Sequence, residues 1–275
     1  VSSPLIERTR QPTPTTTTGG LLGRRDFTLT RLPPADDLAW CVERHWQVGW
    51  SLPAGRRGVS ELLPHPCVNL VFDRGELAVC GVGREVFRYP LSGAGRVFGV
   101  KFRPGAFRPF LGADVAGITE RTVPAAQVWP DAGELAAALR DAAGFDEQII
   151  RAEEFLRGRR VPPDPLAELL SRAVFALLTD PTVQRVSDVC RLVGVEQRTL
   201  QRLFRSHVGV TPRWVLRRGR LHSAAERIAE QATSADPAPW ARIAAELGYA
   251  DQAHFIRDFR TTVGETPARY AHRLR

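Results

Sequence analysis

The sequence predicts an α+β chain: a β-rich N-terminal half, then an all-α C-terminal part with two helix-turn-helix units joined by a long helix. Three observations carry this. Between Phe27 and about Arg103, short apolar stretches (HWQVGW, CVNLVF, ELAVCGVG, EVFRYPL, RVFGVKF) alternate with Gly and Pro, as strands and turns do. After Pro104 the apolar residues fall at three- and four-residue spacing, the pattern of amphipathic helices. In the last third, one motif occurs twice at a fixed period of 55 residues.

Taken in order, residues 1–25 are rich in Thr, Pro and Gly with little to bury, and read as a disordered tail. The apolar stretches then read as an antiparallel sheet or small barrel, with Asp73-Arg74-Gly75 as a hairpin turn in which Gly75 takes positive φ. WPDAGELAAALRDAAG and FDEQIIRAEEFLRGRR read as helices, with Asp131 and Asp146 as their N-caps. Val161-Pro-Pro-Asp-Pro165 breaks the helical pattern, so the expected domains are 26–160, β-rich with C-terminal helices, and 161–275, all helical.

The repeat is the most informative feature. Phe204-Arg205-x-x-Val208-Gly209-x-Thr211-Pro212 recurs as Phe259-Arg260-x-x-Val263-Gly264-x-Thr266-Pro267, with Leu200 matching Phe255 and Arg202 matching Arg257. Ahead of each copy lies a short apolar helix ending in glycine, VSDVCRLVG and WARIAAELG, so each reads as helix, glycine turn, helix. In the first copy Leu200, Leu203, Phe204 and Val208 fall on one face, leaving Arg198, Gln201, Arg202 and Arg205 outside. In the second, Phe255, Phe259 and Val263 face in, leaving Gln252, Ala253, His254, Arg257 and Ile256 outside. Arg and Gln pair bidentately with guanine and adenine edges in the major groove, and duplication sets this apart from an ordinary solvated basic face. Between the copies, Pro212 to Gln231 reads as one helix about 30 Å long, close to the roughly 34 Å that separates successive major grooves on one side of a duplex.

Composition agrees. The 275 residues carry 38 Lys plus Arg, all but Lys101 being Arg, against 30 acids, for a net charge of +8 and a pI near 10.3, which favours a polyanionic partner. Residues 161–275 hold 17 Arg and 12 acids. No apolar run approaches the roughly 20 residues of a membrane span, and VSSPLIERTRQPTPTTTTGG lacks the apolar stretch of a signal peptide, so a cytoplasmic location is expected. Cys41, Cys67, Cys80 and Cys190 form no C-x-x-C pair or zinc-finger spacing and read as reduced and buried.

Residues from about 166 to 275, through RTLQRLF, VGVTPRWV, RIAAELGYADQAHFIRDF and VGETPARY, resemble the DNA-binding domain of the AraC/XylS family of bacterial transcriptional regulators. The resemblance implies base contacts by Arg198, Gln201 and Arg202 in the first unit and by Gln252, Ala253, His254 and Arg257 in the second. Two departures stand out: Glu196 occupies the cap position usually held by Ser or Thr, and Ile256 an often polar outward position. ERHWQ, ELLPHPCVNLVF and RVFGVKFRPGAFRPFLG are similar to an uncharacterised β-rich domain that often precedes such DNA-binding domains, which implies sensing or dimerisation there.

Other constellations carry less. Cys67 beside His65 in PHPCVN suggests a nucleophile or ligand, but a strand cysteine is more often a small buried side chain. Cys190 aligns with Ala244, each four residues before a turn glycine, and reads as packing. Trp40, Trp46, Trp50, Phe72, Phe87, Phe98 and Phe102 read as sheet core in preference to a ligand pocket. Arg103 either holds an anion or pairs with Glu61. The expected function is a sequence-specific, ligand-responsive transcriptional regulator with no catalytic residues, metal or cofactor. Its partners are double-stranded DNA, a small-molecule effector, RNA polymerase and a second copy of itself, with no membrane. The alternative is an enzyme, for example a Cys-dependent transferase, tethered to DNA by the helix-turn-helix domain.

Overall fold

The computed structural model describes residues 27–231 and 239–274; the tail expected at 1–25 lies outside the described residues. The β-rich part is a six-stranded antiparallel sheet in the order β1-β2-β7-β4-β5-β8, with a separate two-stranded ribbon of β3 and β6. The strands are β1 Thr28–Leu32, β2 Val42–Ser51, β3 Arg57–Leu62, β4 Asn69–Asp73, β5 Glu76–Cys80, β6 Phe87–Ser92, β7 Ala94–Phe102 and β8 Thr122–Pro124. The long strands β2 and β7 pair from Val42↔Phe102 to Ser51↔Ala94, with a bulge between Val42 and Arg44. The β4–β5 hairpin closes at Asp73↔Glu76 through Arg74 and Gly75, both at positive φ (49° and 88°), the two-residue turn that matches strand twist.

Alternation along the strands gives the sheet two buried faces. On one face Leu70, Val79, Phe98, Val100 and Phe102 pack beneath α2 (Ala132–Asp141) and α3 (Phe145–Gly158), which contribute Leu135, Leu139, Ile149 and Leu156. On the other, Trp50 and Val97 pack with Leu91 of the ribbon, flanked by Trp46, Val48 and Tyr89. The aromatic set thus serves mainly as core, although Phe87 stands 54% exposed. FRPFLG forms one turn only, α1 (Arg108–Leu111).

Three local expectations need correction. Asp131 precedes α2 but makes no cap; its carboxylate is drawn away by Arg159, whose Nη1 donates at 2.7 Å. Asp146 sits inside the first turn of α3, behind Gly144 at the cap position. The Arg103–Glu61 pair does not form: Arg103 Nε donates to the Ala39 carbonyl, and Glu61 accepts from Arg88 at 2.8 Å.

The proline-rich link is followed by α4 (Pro165–Thr179), capped by Asp164, whose Oδ1 accepts from the Leu166 amide at 2.9 Å. Then come α5 (Val186–Val193), α6 (Gln197–Leu203), which runs into a wide π turn at Phe204–Val208, and α7 (Pro212–Gln231). α8 (Trp240–Glu246), α9 (Gln252–Val263) and α10 (Pro267–Leu274) complete the chain. The cores do not divide at the link. Ala167 of α4 belongs to the sheet cluster, Val82 lies in the core of the first helical unit, and Leu63, with Val86 against it, lies in that of the second.

Candidate nucleic-acid interface

The two helical units close the same way. In the first, the Gly194 and Val195 amides both donate to the Cys190 carbonyl, ending α5 with Gly194 at φ 67°. In the second, the Tyr249 amide donates to the Ala244 carbonyl around Gly248 at φ 71°. Only glycine adopts this left-handed turn without a Cβ penalty, and the six-to-one bond satisfies a carbonyl the helix end would otherwise leave open. The second helix of each unit then leaves at a fixed angle.

That helix is anchored by its apolar stripe. Leu200, Phe204 and Val208 are buried in the first unit, with Leu203 partly so; Phe255, Phe259 and Val263 are buried in the second. Consequently Arg198, Gln201, Arg202 and Arg205 are exposed on one helix, and Gln252, Ala253, His254 and Arg257 on the other. Ile256 departs from expectation: it is half-buried against the second unit's cluster, not outward. The helix starts differ too. Asp251 caps α9, accepting from the His254 amide at 2.7 Å, whereas Glu196 makes no side-chain cap on α6.

α7 braces both units, as its length suggested, through two arginines that the sequence reading did not single out. Arg217 forms an ion pair with Asp258 of α9, which also accepts from the Tyr249 hydroxyl at 2.9 Å. One turn on, Arg220 Nη2 donates to the Gln184 carbonyl at 2.7 Å, just before α5, with its guanidinium over the Tyr249 ring. The i, i+3 spacing of Arg217 and Arg220 was the available signal. Between the units runs a groove of about 600 Å³, whose lining includes Arg185, Arg213, Arg217, Arg220, Tyr249 and His254.

Among the described residues, Arg198, Arg202, Arg205, Arg213, Arg257 and Arg260 make no ion pair within 4 Å. Elsewhere in the described helical part Arg191 pairs with Asp188, Arg227 and Arg242 with Glu246, and Arg269 and Arg273 with Glu265, whereas Arg172 and Arg185 also make no ion pair and Arg218 and Arg220 donate to backbone carbonyls. A row of guanidiniums without counter-carboxylates presents uncompensated positive charge to a polyanion.

The Cys67–His65 constellation has other duties. Burial pushes the Cys67 thiol up to about 11, and its sulfur accepts from Asn69 Nδ2 at 3.7 Å. The His65 ring faces His222 of α7, with centroids 5.6 Å apart. No described helix is long and apolar enough to cross a membrane.

Residues 189–273 match a helix-turn-helix domain family, and residues 30–124 match a domain of unknown function, DUF6597. No curated relative matches the sequence. Among solved structures the chain is similar to ToxT of Vibrio cholerae. An apo form of that protein shares 13% identity over 92% of this chain and 99% of its own, with a TM-score of 0.37. ToxT bound to an unsaturated fatty acid shares 12% over 90% and 95%, with a TM-score of 0.36. Two helix-turn-helix units of one pattern, strung on a single long helix behind the β-rich part, form an AraC-type helix-turn-helix DNA-binding domain at the C-terminal end of this chain.

Proposed function

We propose that this protein reads a specific duplex sequence with both units and that its N-terminal part governs how well it does so. Residues 161–275 form the reader. Arg198, Gln201 and Arg202 contact bases from the first unit, and Gln252, Ala253, His254 and Arg257 from the second, Ala253 offering a methyl for thymine. Arg205, Arg213 and Arg260 take phosphates, setting register and affinity. The observation that supports this most is that Arg198, Arg202 and Arg205 on one outward face, and Arg257 and Arg260 on the other, are exposed with no acidic partner among the described residues.

Residues 26–160 act as a small-molecule sensor. Val82 and Leu63 enter the cores of the first and second units respectively, so a shift of the β-rich part relative to α7 changes the separation of the two reading helices. A ligand that favours one arrangement moves the equilibrium only by its difference in affinity for the two.

The test uses fragments selected from the source genome. Arg202→Ala and Arg257→Ala should each lose about 1–3 kcal/mol on a selected site and relax the preference at one base position, with little loss on random DNA. Arg205→Ala should weaken both DNAs alike and lower the salt slope by about 1. Equal losses on selected and random DNA for Arg202 and Arg257 would mean that they touch only phosphate.

A further inference from the structure

The largest fully buried side chain in the described structure is an arginine. Arg218 of α7 is 2% exposed, its guanidinium lying over the Trp214 ring and its Nε donating to the Pro64 carbonyl in the β3–β4 loop at 3.1 Å. Nη1 and Nη2 are both out of solvent and have no hydrogen-bond partner. One helical turn on, His222 places its ring beside that of His65 from the same loop, and the Nε2 atoms of both rings are likewise buried and unpartnered.

Among the described residues, no group nearby supplies the missing negative charge. Glu43 of β2 is held by Lys101 of β7 at 2.9 Å and by Arg44. Burial keeps the Cys67 thiol protonated. The remaining charges acting on the seam, Lys101, Arg44 and Arg217, are cations, and Arg217 is committed to Asp258. A buried guanidinium with two idle nitrogens and no carboxylate is an expensive arrangement for a structural role. A bound acid resolves it.

We propose that this seam between the β3–β4 loop and α7 binds a small oxyanion, a carboxylate or phosphate group, with Arg218 Nη1 and Nη2 as its fork. The planar pair of N–H donors matches two oxygens of such a group. His65 and His222, as neutral Nε2–H tautomers, donate to the remaining oxygen lone pairs. The ligand fastens the β-rich part to the helix that carries both reading units. Use of the site as an effector site rests on the regulatory reading above; the binding itself does not.

The test is therefore run on the full chain without DNA, by thermal unfolding and titration calorimetry in acetate, phosphate or chloride at matched ionic strength. Acetate or phosphate should raise Tm saturably where chloride does not, and comparing the two separates a carboxylate site from a phosphate site. Arg218→Met should abolish the effect. Should that variant fail to fold, His65→Leu on the loop should weaken binding by about tenfold, the worth of one good hydrogen bond to a charged group. Arg172→Ala, exposed on α4, should leave it unchanged. Equal stabilisation by chloride, unaltered binding in His65→Leu, or loss of binding in Arg172→Ala would overturn the proposal.

Discussion

Arg217, Arg218 and Arg220 follow one another in WVLRRGR with nothing in the sequence to tell them apart. The fold gives them three fates: an ion pair to Asp258, burial under Pro64, and a bond to the Gln184 carbonyl. What buries Arg218 is a loop some 150 positions earlier in the chain, and no local pattern carries that information. The outward residues of the two reading helices were legible, because helical periodicity alone separates Leu200 and Phe204 from Arg198 and Arg202. Burial of the histidine pair also has a measurable consequence. Desolvation holds His222 down to about 3 in the folded chain, against about 6.5 unfolded. The unfolded state therefore binds the extra proton between those values, and the stability due to neutral His222 is lost as pH falls through that window. In an oxyanion-free pyridine hydrochloride buffer, His222→Gln should flatten the fall in denaturation free energy between about pH 6 and 4 by up to about 1.4 kcal/mol per pH unit. An unchanged slope would mean that the ring is hydrated in the native state.

The two copies of the repeat act as each other's control for the reading helices. Glu196 and Asp251 occupy equivalent positions, and both have the extended backbone of a cap (φ −61°, ψ 146° and φ −156°, ψ 167°), but only Asp251 reaches its helix amide. Asp251→Ala should cost about 1 kcal/mol, whereas Glu196→Ser should gain up to about that much. Denaturant midpoints of the two variants should move in opposite directions; a loss from Glu196→Ser would show that Glu196 holds its helix by another route. Half of this asymmetry was legible: Glu196 stood out where the resembled family has Ser or Thr, but the Asp251 cap was not singled out. The sequence did not expose the π turn at Phe204–Val208, where α9 stays regular over the matching FRTTV. In the first copy, the residue after that turn, Gly209, lies against the β-rich part, its carbonyl accepting from Thr119 at 2.7 Å. Asp131 was misread for a similar reason: the partner that takes it, Arg159, comes from the next helix.

The described residues form one packed assembly in which β-rich residues enter both helical cores. Leu63 is fully buried among Leu221, Phe255, Phe259 and Tyr270 of the second unit. Leu63→Ala should destabilise the protein by about 2–5 kcal/mol, and amide exchange should rise first in α8–α10, not in the sheet. Uniform exchange would mean that the second unit does not lean on the β-rich part. This coupling was hidden from the sequence, where the proline link suggested a clean division and each helical unit looked self-sufficient. Repeat, glycine turns and strut were all legible, since each is written in local periodicity. The central claim is that both units read DNA together. A hydroxyl-radical footprint on a selected fragment should show two protected blocks about 10 base pairs apart on one side of the duplex. Arg202→Ala should weaken one block and Arg257→Ala the other. A single block, or two blocks indifferent to both substitutions, would contradict it.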